Sequence, residues 1–267
     1  MSAARMYPAF AANAFQTKLA YRNQVFSSFF GELVMVFARI AIWTAVYAGT
    51  ASVDGITLAD MVTYAILAGT VMAAWNPSHL IRDIGEAVKT GDVAVFLLKP
   101  LHYPLYLFSS QCGILVFNVL TTVIPVTAIL ALTYGIMPPA SLFHALFFPA
   151  FWALSFVILF LLGAACGLLA FWLMTAHALE WFLTGILSLF SGNLLPIWFF
   201  PPVLAVVARY LPFAWIGFYP TAVYLGKLSP GETLLFFGIG LFWACLLALG
   251  VALLWSATRH RLVVQGG

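Results

Sequence analysis

Charged residues are scarce in this chain: aspartate, glutamate, lysine and arginine together make up 7% of its 267 residues. Soluble domains average about 25% charged residues, because their surface must face water. Hydrophobic residues make up 64% of the chain, and its mean hydropathy is +1.06. The shortage of charge excludes a soluble protein. It predicts an all-α integral membrane protein in which residues 1–267 form a single transmembrane domain.

Cysteine is also rare, and the three that occur lie far apart in apolar runs, at Cys112, Cys166 and Cys245. Such cysteines behave as small buried hydrophobes, and no pair has metal-ligand spacing. The sequence contains no G-x-x-x-x-G-K-S/T phosphate-binding loop, no H-E-x-x-H and no G-x-S-x-G motif. We therefore expect no catalytic residue, metal or cofactor in this chain and no enzymatic activity. No basic patch with interleaved aromatics occurs, so we expect no nucleic-acid partner.

Long apolar runs dominate what is present. A membrane-spanning helix needs about 20 mostly apolar residues, and six runs qualify: 25–49, 58–79, 104–133, 142–173, 178–199 and 232–256. Two runs begin with a capping box, in which Thr57 or Ser229 pairs with an acidic residue three positions on.

The first 24 residues lack the continuous apolar core of a signal peptide. They predict an amphipathic interfacial helix at the cytoplasmic membrane surface. Its basic residues are Arg5, Lys18 and Arg22.

Lysine and arginine indicate the orientation, because cytoplasmic loops of membrane proteins are enriched in both. Eight of the 11 basic residues precede the first span, lie in the loop 80–103 or follow the last span. The opposite side has Arg209 and Lys227, and Arg39 lies within a span. Both termini and the loop 80–103 are therefore predicted to lie in the cytoplasm.

Proline is concentrated between residues 193 and 230, in a segment that stays apolar and aromatic. Its six prolines are Pro196, Pro201, Pro202, Pro212, Pro220 and Pro230. Proline removes a backbone donor and clashes with the preceding turn, so no 20-residue span fits between Pro201 and Pro220. Broken helix at membrane depth requires surrounding protein or a water-filled cavity. We expect short re-entrant helices on the outer side, with an aromatic external loop resting on the headgroups as the alternative.

Several polar residues fall within or beside the predicted spans. Glu32 and Arg39 lie two turns apart on one face of the first span, where a charge is costly unless it is paired or hydrated. Gln111 and Asn118 repeat that spacing in the third span. Together with Asn193, they are candidates for a polar pathway or a seam between subunits. Hydrogen bonding between helices is the alternative.

Three further features concern contacts between helices. The run GAACG at 163–167 contains a GxxxG motif, which permits close approach of helices. Pro125 is placed to kink the third span. His177 and Glu180, three residues apart at the start of the fifth span, are too few for a metal site and favour a capping or interfacial role.

One short stretch between the second and third spans concentrates the remaining charge. Six of the nineteen charged side chains lie there: Arg82, Asp83, Glu86, Lys89, Asp92 and Lys99. The pattern favours a helix up to about Thr90 with Gly91 as its left-handed stop. It places Arg82, Glu86 and Lys89 on one charged stripe. The stripe is either a solvated face or a docking surface for a soluble partner.

Two segments resemble the integral-membrane permease subunit of type 2 ABC exporters, the ABC-2 family. IRDIGEAVKTGDVAVFLLKPLHYPLY at 81–106 is similar to the cytoplasmic stretch of that family. SGNLLPIWFFPPVLAVVARYLPFAWIGFYPTAVYLGK at 191–227 is similar to its proline- and aromatic-rich segment before the last span. The six-span count and the N-terminal helix also fit, so the resemblance covers the whole chain.

The resemblance implies a half-transporter in the inner membrane of a prokaryote. Two permease subunits, identical or paralogous, would pair within the lipid, and each would dock a separate ATPase that binds ATP and Mg. The stretch 82–99 would contain the coupling helix, and the proline-rich segment would gate release. The family exports drugs, lipids, antibiotics and glycans. The domain would divide into 1–24 (elbow helix), 25–80 (spans one and two), 81–103 (coupling segment), 104–199 (spans three to five), 200–230 (external segment), 231–256 (span six) and 257–267 (cytoplasmic tail).

Two other classes of function compete with an ATP-driven exporter. An ion-coupled secondary transporter would use Glu32 and Arg39 for proton coupling, although the sequence shows no internal repeat of the kind such transporters often have. A membrane enzyme would need clustered histidine or acidic residues at the interface, where His177 and Glu180 alone come near. A neighbouring gene for an ATP-binding-cassette ATPase would separate the three classes.

Overall fold

Helices account for almost all of the fold. A computed structural model describes residues 3–20, 22–93, 101–173 and 175–265. Numbered in chain order, the helices are α1 (Ala3–Leu19), α2 (Arg22–Val46), α3 (Leu58–Ala68), α4 (Thr70–Ala74), α5 (Pro77–Thr90), α6 (Tyr103–Asn118), α7 (Ile124–Tyr134), α8 (Leu142–Leu173), α9 (Ala176–Phe190), α10 (Pro202–Tyr210), α11 (Phe218–Tyr224) and α12 (Pro230–Gln265). A π-helical turn, Val119–Val123, joins α6 to α7, and 3₁₀ turns lie at Ile197–Phe199 and Pro212–Trp215.

A small hairpin connects α2 to α3. Strand β1 (Ser52–Val53) pairs antiparallel with β2 (Ile56–Thr57). The two residues between them, Asp54 and Gly55, have φ values of 50° and 74°. Asp-Gly suits this tight turn because both positions require positive φ.

Among the described residues, five helical stretches are long and apolar enough to cross a membrane: Val25–Val46, Leu58–Thr90, Tyr103–Tyr134, Leu142–Leu173 and Pro230–Arg259. They correspond to five of the six predicted spans, and the all-α membrane fold is confirmed. The predicted fifth span, 178–199, corresponds to α9, which has 15 residues. Helix α9 is about 22 Å long, which is shorter than a hydrocarbon core of about 30 Å. The count of six spans therefore stays a prediction.

The helix boundaries predicted from capping motifs are confirmed. The Thr57 hydroxyl accepts a hydrogen bond from the Asp60 N–H, and the Asp60 carboxylate accepts one from the Thr57 N–H at 2.9 Å. Ser229 and Glu232 form the same reciprocal pair at the start of α12. Helix α5 ends at Gly91, whose φ of 80° lies in the left-handed region that glycine favours.

Helix α5 packs closely against the GxxxG motif of α8. A Cβ atom on Gly163 would lie 2.9 Å from the Pro77 Cβ, and one on Gly167 would lie 2.6 Å from the Ile84 Cδ1. Ile84 and Leu168 are both buried in the surrounding hydrophobic cluster. Because both glycines lack a side chain, the α5 backbone lies directly against α8. The charged stretch therefore begins within a helix that is packed into the bundle.

The N-terminal helix α1 lies alongside α6. The Ser109 hydroxyl donates to the Tyr7 carbonyl, Gly113 lies against the Ala11 backbone, and the Phe15 and Phe117 rings meet edge to face at 5.5 Å. Each contact is four residues further along both helices than the one before, so the two helices run in the same direction. An N-terminal helix is present as predicted, and its position at the membrane surface stays a prediction.

The proline-rich segment folds into short helices, as its composition predicts. The longest is α10, with nine residues, and the 3₁₀ turn that begins at Pro212 separates it from α11. Trp215 is completely buried. Its indole N–H donates to the Phe236 carbonyl at 3.1 Å, and its own carbonyl accepts from the Ser155 hydroxyl. The segment is therefore packed between α8 and α12.

Candidate functional site

A cavity of about 730 Å³ lies between α1, α2, the α4–α5 region and the third span. Its volume falls within the range of ligand sites, about 300–1,000 Å³. Polar residues from all four elements line it: Lys18, Glu32, His79, Asp83, Gln111 and Asn118. Three of these six, Glu32, Gln111 and Asn118, are polar residues singled out within the spans by sequence. The fold thus brings together side chains that the sequence could only place on separate helices.

Glu32, Arg39 and Asn193 meet at the surface of Gly69, where α3 gives way to α4. A Cβ on Gly69 would lie 2.7 Å from the Arg39 Nη1, 3.1 Å from the Glu32 Oε1 and 3.5 Å from the Asn193 Oδ1. The Arg39 Nη1 donates to the Asn193 Oδ1 at 2.8 Å. Among the described residues Glu32 and Arg39 form no ion pair within 4.0 Å. The arginine is therefore held by an amide, and Glu32 lies beside it and also lines the cavity.

Hydrogen bonds fix the two amides of the third span. The Trp75 indole N–H donates to the Gln111 Oε1 at 2.8 Å, and the Asn118 Nδ2 donates to the Ala74 carbonyl at 2.9 Å. Ala74 and Trp75 lie where α4 ends, so the amides bind a break in the second span. This arrangement is compatible with a polar pathway and with hydrogen bonding between helices, the two roles predicted for these residues. Each amide joins two helices and also lines the cavity.

The walls of the cavity depart from regular α-helix on two sides. The second span is interrupted at Gly69 and again at Trp75–Asn76. The third span contains the π turn Val119–Val123, and Thr121 and Thr122 of that turn line the cavity. Single π turns occur frequently at functional sites, so the irregular backbone marks the same place as the polar side chains.

Five of the six charged residues of the predicted coupling surface lie among the described residues, and all five are exposed. Arg82 donates to the Glu180 carboxylate of α9 at 3.0 Å, and Asp83 faces the cavity. Glu86, Lys89 and Asp92 are exposed at the end of α5, where the Asp92 carboxylate accepts from the Thr90 hydroxyl at 2.8 Å. Lys99 lies outside the described residues. Arg82, Glu86 and Lys89 are thus all exposed on one helix, with Arg82 also bonded to Glu180, and the docking role of the stripe stays a prediction.

Glu180 forms a small polar cluster between α5 and α9. Its Oε1 accepts from Arg82, and its buried Oε2 has no hydrogen-bond partner among the described residues. The His177 Nδ1 lies 3.7 Å from that Oε2, and the His177 Nε2 accepts from the Trp181 indole at 3.0 Å. The predicted interfacial role of His177 and Glu180 agrees with this geometry, whereas the bond from Arg82 to Glu180 was not anticipated.

The predicted outer end contains an ion pair that the sequence analysis missed. The Lys227 Nζ donates to the Asp60 Oδ2 at 3.0 Å, and the Asp60 side chain is 7% exposed. Asp60 was predicted only as a cap for α3, and Lys227 only as a basic residue on the outer side. The pair fastens the chain after α11 to the start of the second span. The prolines proposed as an external gate lie in this region, with Pro196, Pro212 and Pro220 buried and Pro201 and Pro202 exposed.

Comparison with known protein families gives a match over most of the chain. A family model described as ABC-2 family transporter protein matches residues 33–266. The chain belongs to the ABC-2 transporter family. No curated protein and no solved structure matches it.

As an ABC-2 transporter protein, the chain is an integral membrane permease of an ABC-type system. Permeases of this family work in general with a partner ATPase subunit. The matched residues include the cavity walls from Leu33 onward, the exposed end of α5 and the proline-rich segment. Helix α1 and Glu32 lie outside the match, so the cavity extends beyond the residues shared with the family model.

Proposed function

We propose that this ABC-2 permease is the membrane subunit of an ATP-driven exporter in the inner membrane of a prokaryote. It pairs with a second permease, either identical or paralogous, and docks a separate ATPase subunit that binds ATP and Mg. The family match over residues 33–266 carries this proposal. The sequence supports it, because it has no phosphate-binding loop with which to hydrolyse ATP itself. Both termini lie in the cytoplasm, and α9 completes a sixth crossing.

Helix α5 suits the transmission of ATPase motion to the cavity. Its exposed end carries Glu86 and Lys89, and its first half supplies His79 and Asp83 to the cavity. The helix has 14 residues, so it extends for about 21 Å. Close packing against the glycines of α8 leaves it little freedom to bend. A displacement at Lys89 would therefore reach the cavity wall as a movement of the whole helix.

The segment after Pro196 suits an external gate that dips into the membrane. Trp215 lies against Gly240 and Leu154, which are about two to three turns inside the two longest apolar helices. Irregular backbone at that depth is tolerated because protein surrounds it. The segment is joined to the second span by the Asp60–Lys227 pair. A movement of that span would therefore displace the proline-rich segment as well.

Charge reversal at Lys89 tests the docking of the ATPase. We expect Lys89→Glu to leave the permease inserted and to reduce co-purification of the ATPase several-fold, because a charged docking surface loses its complementarity. Arg209→Glu is the matched control, since it makes the same change of charge at an exposed residue on the predicted outer side. Equal ATPase recovery with both variants would refute docking at this end of α5. Arg82 is less suitable for the test, because its reversal would also break the bond to Glu180.

An ion-coupled secondary transporter remains the second candidate, because Glu32 lies in a span and faces the cavity. The two mechanisms differ in their energy source. Transport by the purified permease alone in vesicles with a proton gradient would favour ion coupling. Transport that requires the ATPase and hydrolysable ATP would favour the exporter.

A further inference from the structure

Glu32 and Arg39 are charged side chains of the first span, and among the described residues neither forms an ion pair within 4.0 Å. A charged residue inside a membrane protein is costly unless it is paired or hydrated, and such residues mark ion or substrate sites. Arg39 lies at the same surface of Gly69 and keeps its charge, but it is outside the cavity lining and its Nη1 donates to Asn193 rather than to Glu32. Two carboxylates, Glu32 and Asp83, and one ammonium group, Lys18, line the cavity. With His79 neutral, the lining has an excess of one negative charge.

Two other residues of the cavity lining offer hydrogen-bond acceptors. The Asn118 Nδ2 is bonded to the Ala74 carbonyl, which leaves the Asn118 Oδ1 free to accept. The Thr121 hydroxyl donates to the Phe117 carbonyl, which leaves the lone pairs of its oxygen. With the Glu32 carboxylate, three acceptors therefore come from two facing helices. A primary ammonium group has three N–H donors and no acceptor, so it complements this set.

Gln111 presents a hydrogen-bond donor to the cavity. The residue is 6% exposed and lines the cavity. Its Oε1 accepts from Trp75, which fixes the amide, and no partner for its amide nitrogen occurs among the described residues. The nitrogen is open to the cavity, since it is not among the buried side-chain atoms without a partner. A polar ligand with an oxygen atom beside its ammonium group would satisfy that nitrogen.

We propose that this cavity, formed within a single subunit, binds the ammonium group of an amphiphile, with the Glu32 carboxylate as its counter-ion. Asn118 and Thr121 accept the remaining hydrogen bonds, and Gln111 donates to an oxygen atom of the same ligand. The apolar residues Met72, Ile114 and Phe117 in the lining contact the adjacent carbon atoms. The source of the ammonium group is either a transported amphiphile, which rests on the proposed function, or the headgroup of a membrane lipid.

Charged thiol reagents measure the electrostatic preference of the cavity in the permease alone. Ser28 lines the cavity one turn before Glu32, and Ser28→Cys supplies a small reactive group after Cys112, Cys166 and Cys245 are replaced by alanine. The rates of modification by trimethylammonioethyl and sulfonatoethyl methanethiosulfonate are compared in nanodiscs and for a free thiol in solution. We expect the cationic reagent to be favoured about tenfold more in the cavity than in solution, as one nearby carboxylate would produce.

Glu32→Gln should abolish this preference, because it removes the charge and keeps the shape. Glu86→Gln is the matched control: it removes an exposed carboxylate outside the cavity and should leave the ratio unchanged. A ratio equal to that of the free thiol, or one that Glu32→Gln does not alter, overturns the proposal. If Glu32→Gln fails to insert into the membrane, the proposal is tested in the Ser28→Cys chain that retains Glu32. The measurement is then whether an added ligand protects the introduced thiol from modification. Hexylammonium should then slow the modification of the introduced thiol, and hexanol should not; equal effects overturn the proposal.

The composition of the nanodisc distinguishes the two sources. Slower modification in phosphatidylethanolamine than in phosphatidylglycerol alone identifies a lipid headgroup as the ligand. Protection by hexylammonium in both lipids identifies a transported amphiphile. These measurements use the permease without the ATPase, so a negative result would not affect the proposal that an ATPase docks at the end of α5. Failure of the Lys89→Glu test likewise leaves ammonium binding standing.

Discussion

Arg39 shows at the scale of one residue how the protein holds a charge inside the membrane. Its guanidinium donates to the Asn193 Oδ1 at 2.8 Å, and Asn193 follows the end of α9. Hydrogen bonds to charged groups contribute about 1.5–3 kcal/mol, and here the alternative is a cation surrounded by lipid. The bond therefore joins the first span to the start of the proline-rich segment.

A double-mutant cycle tests this bond. We expect Asn193→Leu to lower the free energy of unfolding by about 1–3 kcal/mol, because Arg39 would lose its acceptor. The same substitution in an Arg39→Met background should cost clearly less, since no buried charge is left unpaired. Unfolding in mixed micelles with rising denaturing detergent measures both values. Additive effects of the two substitutions would show that the two side chains do not stabilise one another.

Asp60 makes one interaction that the sequence predicts and one that it does not. Its capping bond to Thr57 is three residues away, and a motif with fixed spacing was sufficient to predict it. Its ion pair with Lys227 joins residues 167 positions apart, which no local pattern encodes. The bonds from Arg82 to Glu180 and from Arg39 to Asn193 are equally remote. The candidate polar residues were therefore identifiable, and their partners were not.

At the scale of the element, α1 depends on one glycine of α6. A Cβ on Gly113 would overlap the carbonyl oxygen of Ala11, and backbone atoms cannot rotate away as the end of a side chain can. We expect Gly113→Ala to separate α1 from α6 and to lower the free energy of unfolding by about 1–3 kcal/mol. Trypsin should then cleave faster after Lys18.

Gly238→Ala is the control for this prediction. Gly238 also lies in a long apolar helix, but no atom lies within 4 Å of the Cβ position. Its replacement should leave stability unchanged or raise it by up to about 1 kcal/mol, because alanine favours helix. If both alanine variants behave alike, α1 is not held by close packing at Gly113.

Two elements show where reasoning from composition stops. Helix α9 ends at Phe190 although apolar residues resume at Leu194. The chain turns at Gly192, whose φ is 76°, and the Ser191 carbonyl accepts a hydrogen bond from the Phe218 N–H at 2.9 Å.

Pro125 was predicted to kink the third span. The disturbance lies instead in the π turn just before it, where the helix adjusts to a proline in the first turn of α7.

At the scale of the whole molecule, the distribution of basic residues predicts the orientation. In a chain without its three cysteines, we expect Lys89→Cys to react with membrane-impermeant maleimide only from the cytoplasmic side. Gly231→Cys should react only from the outer side. Both positions are exposed, and no atom crowds a Cβ at Gly231. Labelling intact cells and inverted vesicles makes the comparison, and reversed accessibility would overturn the orientation.

The π turn of the third span also determines where that span tolerates the deletion of a residue. At 3.6 residues per turn, Leu130 follows Gln111 by about 5.3 turns and would point about a third of a turn away from it. Both side chains are buried, and a turn that absorbs one surplus residue brings the interval to about five whole turns. The surplus residue in the π turn therefore keeps the buried face of α6, which carries Gln111, in line with the buried face of α7, which carries Leu130. Removal of one residue from the turn would rotate the following half helix unless the turn relaxed to ordinary α-helix, and that relaxation would restore the alignment. A single-residue deletion at Leu120 should therefore be tolerated, whereas a deletion at Leu246, in the uninterrupted helix α12, should misalign everything that follows it.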